Sequence, residues 1–183
     1  MVVQALRTRQ PAVLEDLLAT YGREIQAVAY LIVRDRADAE DVVAETLIAA
    51  LEHGPALRDE QSLRAWLLRI ATNRALTMRR RTARVVRLEV VPEMATAAAG
   101  GIGDSDSRVA LLEGIAGLPP KMRAAVVLRY YADWSVDECA RALGKSPNTV
   151  KAQLQESLDR LRAALADASA GQPTGTAMEA PNV

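Results

Sequence analysis

The residues most able to do chemistry here lie near the end of the chain, in Ser146-Pro147-Asn148-Thr149-Val150-Lys151-Ala152-Gln153. At helical spacing Asn148, Thr149, Lys151 and Gln153 lie outward while Val150 and Leu154 turn inward. Asn and Gln match adenine edges, Thr reaches bases or phosphates, and Lys neutralises a phosphate. This is the chemistry of a helix end placed in a DNA groove. Catalysis has a weaker case. Asp41 and Glu45 share a helix face at four-residue spacing, but no histidine, lysine pocket or glycine-rich loop accompanies them. The sequence therefore predicts a protein that is not an enzyme, with no catalytic residue.

A second pattern is charge segregation. Residues 35 to 52 hold six acids (Asp35, Asp38, Glu40, Asp41, Glu45, Glu52) and one base, Arg36. Residues 69 to 87 hold seven arginines and no acid. Two solvated helix faces that attract each other would give this pattern. A separation this complete also suits two docking surfaces, the basic one for a phosphate backbone and the acidic one for a basic protein.

These residues need helices to hold them. Val13, Leu17, Tyr21, Ile25, Val28 and Ile32 recur at three- and four-residue steps, with Pro11 at the expected start. A second helix begins near Ala37-Asp38 with acids in its first turn, carries a stripe of Val42, Val43, Leu47, Ile48 and Leu51, and stops at Gly54-Pro55. Ser62 opens a third through Trp66, Leu67, Ile70 and Leu76. Farther on, Val109 to Ile115 make a brief helix, and Pro119-Pro120 opens another through Leu128 and Tyr131. Ser135 and Glu138 form a capping box for a short helix, Gly144 supplies a left-handed turn, and Ser146 caps the helix that follows. Short helix, glycine turn and longer helix have the anatomy of a helix-turn-helix. An ordinary helical hairpin shares part of that pattern; the two caps and the glycine at this spacing favour the groove reader.

Composition bounds the rest. Hydrophobic residues make up 50% of the 183, and aromatics only 3% with no Phe, so aliphatic helices are expected rather than a sandwich or barrel. The formal net charge of +0 excludes a uniformly basic nucleic-acid binder. One Cys and one His leave no disulfide framework and no metal cluster, and no cofactor is expected. Cys139 suits a small core position, and His53 a helix end or surface. No apolar run approaches the ~20 residues of a membrane span, and the start lacks a signal peptide, so no membrane insertion and a cytoplasmic location are expected. The predicted fold is all-α. One helical domain covers residues 10–84 and another 107–165, joined by a flexible linker over 85–106 and followed by a disordered tail over 166–183.

The segments DAEDVVAETLIAAL and LRAWLLRIATNRALTMRRR resemble region 2 of the extracytoplasmic-function (ECF, group IV) sigma factors of bacterial RNA polymerase. LPPKMRAAVVLRYYADWSVDECARALGKSPNTVKAQLQESLDRLRAAL resembles their region 4. The resemblance implies a three-helix region 2 bundle and a region 4 helix-turn-helix that together bind core RNA polymerase and promoter DNA. Asp38, Glu40, Asp41 and Glu45 would dock on the polymerase. His53 and Arg58, in the loop that captures a flipped base, would bind the minus-ten strand with Asn73, Arg74, Arg79, Arg80 and Arg81. Ser146, Asn148, Thr149, Lys151 and Gln153 would bind the minus-thirty-five element, with Thr149, Val150 and Lys151 matching the family's T-V-K. The family usually has an anti-sigma partner, which no residue here identifies. The chain departs from the pattern at Gln153 and Glu156, where basic residues are common. Ala44, Leu47, Ala49 and Leu51 likewise replace the usual Gln, Phe, Arg and Trp. Altered minus-thirty-five binding is the expected result. A two-domain regulator acting on palindromic DNA without polymerase is the alternative.

Overall fold

The computed structural model describes residues 5–6, 8, 12–54, 62–82 and 105–170. The expected start at Pro11, most of the linker and the end of the tail lie outside them. The first unit has α1 (Val13–Val33), α2 (Arg36–His53) and α3 (Leu63–Thr82). Leu17, Ile25, Val28 and Ile32 of α1, Val42 of α2 and Leu63, Leu67 and Ala71 of α3 are all buried, so three apolar stripes close on one centre. α1 ends at Arg34, which takes the left-handed conformation (φ 66°) and donates its N–H to Tyr30 O at 2.8 Å. Asp35 then caps α2 by accepting the Asp38 N–H at 2.8 Å. That cap starts the helix at Arg36, slightly earlier than the acids at 38 to 41 suggested.

The second unit has α4 (Ser105–Gly117), α5 (Pro120–Val126), α6 (Val136–Leu143) and α7 (Pro147–Ala170). α5 continues into a wider π-helical turn at Val127–Tyr131, where Ala132 donates to Val127 O at 3.0 Å. The capping box forms as expected. Ser135 Oγ accepts the Glu138 N–H at 3.2 Å, and Glu138 Oε2 accepts the Ser135 N–H at 2.8 Å. Gly144 sits at φ 61°, ψ 43°, the left-handed geometry a side chain would resist. Ser146 Oγ accepts the Thr149 N–H at 3.1 Å to begin α7. α7 runs on to Ala170, past the end expected near 165. Alanines at 163, 164, 166, 168 and 170 give that extension high helix propensity.

The two units do not stand apart. α5 packs on α1 and α3, its π turn packs on α1, and α6 meets α3. One buried apolar cluster runs through both units, from Leu17 and Leu67 to Leu128, Trp134 and Val150. Periodicity reveals which face of a helix is apolar but not which other helix covers it. Among the described residues no helix is long and apolar enough to cross a membrane.

Candidate functional site

Capping and packing orient the start of α7. Val150 and Leu154 are buried, which pins one face to the unit and turns the other out. Ser146, Asn148, Thr149 and Lys151 are all exposed along it, as the spacing implied. The hydroxyls of Ser146 and Thr149 are also 2.8 Å apart, so the cap fixes the Thr149 side chain at the rim. Gln153 departs from expectation. It is half-buried, with Oε1 enclosed, because it lies only one step before Leu154 on the inward side. The outward register is instead continued by Ala152, Gln155 and Glu156. Gln155, seven residues after Asn148, shares its exposed face. Glu156, whose sign opposes a phosphate, is paired with Arg160 at 2.7 Å, which blunts its charge.

The acidic ridge lies along α2. Glu40 and Asp41 are exposed, Asp38 and Glu45 half-buried. Glu40 pairs with Arg36 at 3.0 Å. Burial, and next the neighbouring carboxylates Asp35 and Asp41, push the Asp38 carboxyl above its ordinary range, while Arg79 pulls the other way. Ile48, expected in the apolar stripe, is 55% exposed and sits in the ridge. It stands seven residues after Asp41, so helical arithmetic assigns it to the acidic face.

The arginines of α3 divide. Asn73 and Arg80 are exposed. Arg74 Nη1 lies 3.4 Å from Glu45 Oε2, so a residue expected on the promoter side is paired with one expected on the polymerase side. Both are near half exposed and in solvent, where such a pair contributes only about 0–1 kcal/mol and exchanges easily. Arg79 is half-buried rather than free for a phosphate: Nη1 donates to Val33 O at 3.4 Å and Nε is enclosed. Its position, five residues after Arg74, rolls it under the end of α1. Arg81 lies within α3, and Arg58 falls outside the described residues. His53 is exposed in the last turn of α2, its Nδ1 3.9 Å from Glu52. Cys139 is buried on the inner face of α6, and burial pushes its thiol up to about 11, as suits a core residue. Among the described residues no group of acids, His and Cys could hold a metal.

Known protein families match both units of the chain. The Sigma-70 region 2 family matches residues 17–85, and the Sigma-70 region 4 family matches residues 108–161. The RNA polymerase sigma-E factor of Streptomyces avermitilis is 32% identical over 162 residues, covering 86% of this chain and 80% of that protein. The ECF RNA polymerase sigma factor SigG of Mycobacterium tuberculosis is 32% identical over 169 residues, 78% of this chain; the chain spans about half of SigG's length, at 46%. In structure the chain resembles the sigma factor RpoE of Bartonella quintana, solved in complex with the anti-sigma factor NepR. The TM-score is 0.66 at 23% identity, covering 83% of this chain and 96% of that one. With both regions matched in order and a relative this similar over most of its length, the chain belongs to the ECF sigma factors of RNA polymerase.

Proposed function

We infer that this chain binds core RNA polymerase and directs promoter-specific initiation of transcription, as a group IV factor working in the cytoplasm. The observation that supports the reading is the presence, in one chain, of an exposed acidic helix in the region 2 unit and a capped helix with an exposed polar first face in the region 4 unit. A regulator that acted without polymerase would have no need of the first.

The region 2 unit over 10–84 and the region 4 unit over 107–165 divide the work. Asp38, Glu40, Asp41 and Glu45 dock on a basic surface of the polymerase, and Ile48 adds an apolar contact among them. Docking releases Arg74 from Glu45, so that Arg74, Asn73 and Arg80 meet the minus-ten strand together with His53. Capturing a base outside the stack costs a few kcal/mol of lost stacking. Trp66 is half-buried and the unit has few other rings, so this protein relies on promoter sequence more than on aromatic platforms. Ser146, Asn148, Thr149 and Lys151 read the minus-thirty-five element, with Gln155 farther along the same face. Polymerase mounting makes the second contact intramolecular, which turns two weak bindings into one strong one. The chain contributes specificity and no catalytic step. An anti-sigma partner would act by covering these two surfaces.

Reconstitution tests the proposal. Purified chain and bacterial core polymerase should yield promoter-dependent run-off transcripts from a pool of genomic templates. A chain that binds palindromic DNA as a dimer and never co-elutes with core would favour the two-domain regulator instead.

A further inference from the structure

Three arginines cross the boundary between the two units, and each ends on a backbone carbonyl of the other. Arg34, just after α1, donates from Nη1 to Leu112 O in α4 at 3.2 Å. Arg64 of α3 pairs with Glu24 of α1 and donates from Nη2 to Ala132 O, just past the π turn, at 3.2 Å. Arg123 of α5 is 3% exposed. Its guanidinium donates to Ile32 O in the last turn of α1 at 2.8 Å, and to Ile115, Ala116 and Leu118 O at the end of α4.

Arg123 thus lies between the C-terminal ends of two helices. Each end carries carbonyls without intrahelical partners and a partial negative charge of about half an electron. That arrangement accommodates a buried cation without a carboxylate. Burial, and next Arg79 and Arg34, lower its pKa to about 10, so it stays charged at neutral pH. Crossing contacts of this kind are reversible. On separation water can take up both the carbonyls and the guanidiniums, and no carboxylate is left buried without its cation.

Closure also conflicts with the task assigned under the proposed function, on which this part of the argument rests. The minus-ten and minus-thirty-five elements are about 25 base pairs apart, ~85 Å of duplex at ~3.4 Å per pair. A packed body of about 125 residues is only ~35 Å across, from a radius of gyration of ~14 Å. The closed chain cannot reach both elements.

We propose that Arg34, Arg64 and Arg123 form a polar clasp that holds the free chain closed, and that the strength of this clasp sets how readily the two units part on polymerase and promoter. Weakening it raises the fraction of open chain, and the apparent affinity for the promoter-bound assembly rises with that fraction.

Spin labels at Thr20→Cys and Lys145→Cys, both exposed, read the separation by pulsed dipolar spectroscopy in the full chain. Buried Cys139 does not compete for the label. The free chain should give one short distance, and core polymerase with promoter DNA should lengthen it by tens of ångströms. Arg34→Gly removes one crossing bond while giving the φ 66° position the residue that best accepts it. It should shift the closed-to-open ratio roughly tenfold, the usual scale for a charged hydrogen bond, with no loss of helix content. The change should appear as a larger long-distance fraction or as equally tightened assembly on the promoter. Arg123→Met should act in the same direction and more strongly; if it unfolds the second unit, Arg34→Gly decides. A broad, long distribution in the free wild-type chain overturns the proposal. So does an Arg34→Gly variant that matches wild type in both distance and assembly. The free-chain distances need no polymerase, so closed chain without transcripts would count against the initiation reading and leave the clasp standing.

Discussion

Replacing Lys151 with Ala tests the proposed groove-reading face of α7 at a point where folding and binding separate. Lys151 is exposed at the start of the second turn of α7, and the residues four before and four after it are Pro147 and Gln155. No ion pair along the helix is lost, so stability should change by less than about 0.5 kcal/mol. If Lys151 neutralises one phosphate, its removal lowers the slope of log K against log salt by about 0.9. From 50 to 200 mM salt that slope changes the ratio of wild-type to variant affinity by about 3.5-fold. The deficit of the variant should therefore be largest at low salt and shrink by that factor. Glu156→Gln is the internal control. Its carboxylate is already paired with Arg160 at 2.7 Å, so its slope should move by much less than one unit. Fluorescence anisotropy of the reconstituted holoenzyme on a promoter fragment recovered from run-off transcription supplies the slopes. Parallel lines for wild type and Lys151→Ala would falsify the phosphate contact, and an equal loss of core binding would contradict the division of labour between the units.

Other perturbations address the remaining elements. Asp41→Lys combined with Glu45→Lys should abolish most co-elution with core polymerase in gel filtration while leaving the far-ultraviolet spectrum unchanged; normal co-elution would remove the acidic ridge from the docking surface. Gly144→Val should cost about 2 kcal/mol, or roughly 5–10 °C in melting temperature, through backbone strain alone, because nothing lies within 4 Å of the added Cβ. Unchanged melting would mean the turn adapts. The Glu138 carboxyl is held below its ordinary value of 4.5 by the hydroxyl and then the backbone N–H of Ser135. A lowered folded pKa stabilises the protein above the unfolded value and loses that stabilisation as pH falls through the folded one. Wild type should therefore outlast Glu138→Gln at pH 6, with the gap in melting temperature closing as the pH is taken well below 4.5.

Local signals in the sequence carried most of the fold. Ser135, Glu138, Gly144 and Ser146 act within a few residues of themselves, and each does what its type and spacing implied. The outward set on α7 followed from period 3.6 except at Gln153, which borders the buried stripe and takes its inner side. Charge runs were less informative about single residues. A run of arginines from 69 to 87 looks uniform as text, yet Arg74 pairs with Glu45 while Arg79 turns under α1. Those fates depend on where α1 and α2 end relative to α3, which no local pattern encodes. Arg123 leaves a local trace in the sequence. It stands among Met122, Ala124, Ala125 and Val126, all buried, where an arginine has no reason to be unless carbonyls meet it.

The π-helical turn at Val127–Tyr131 makes residue count matter more here than in any loop of the molecule. A π turn takes in one residue beyond α-helical registry, and one residue of helix is worth about 100° of rotation. Upstream of it Arg123 aims at the end of α1; downstream the Ala132 carbonyl meets Arg64. Excising a single residue between them would turn one contact away whenever the other was kept. In this stretch an insertion or deletion acts as a phase error, felt at two places at once, whereas the same change in a surface loop would be absorbed by slack.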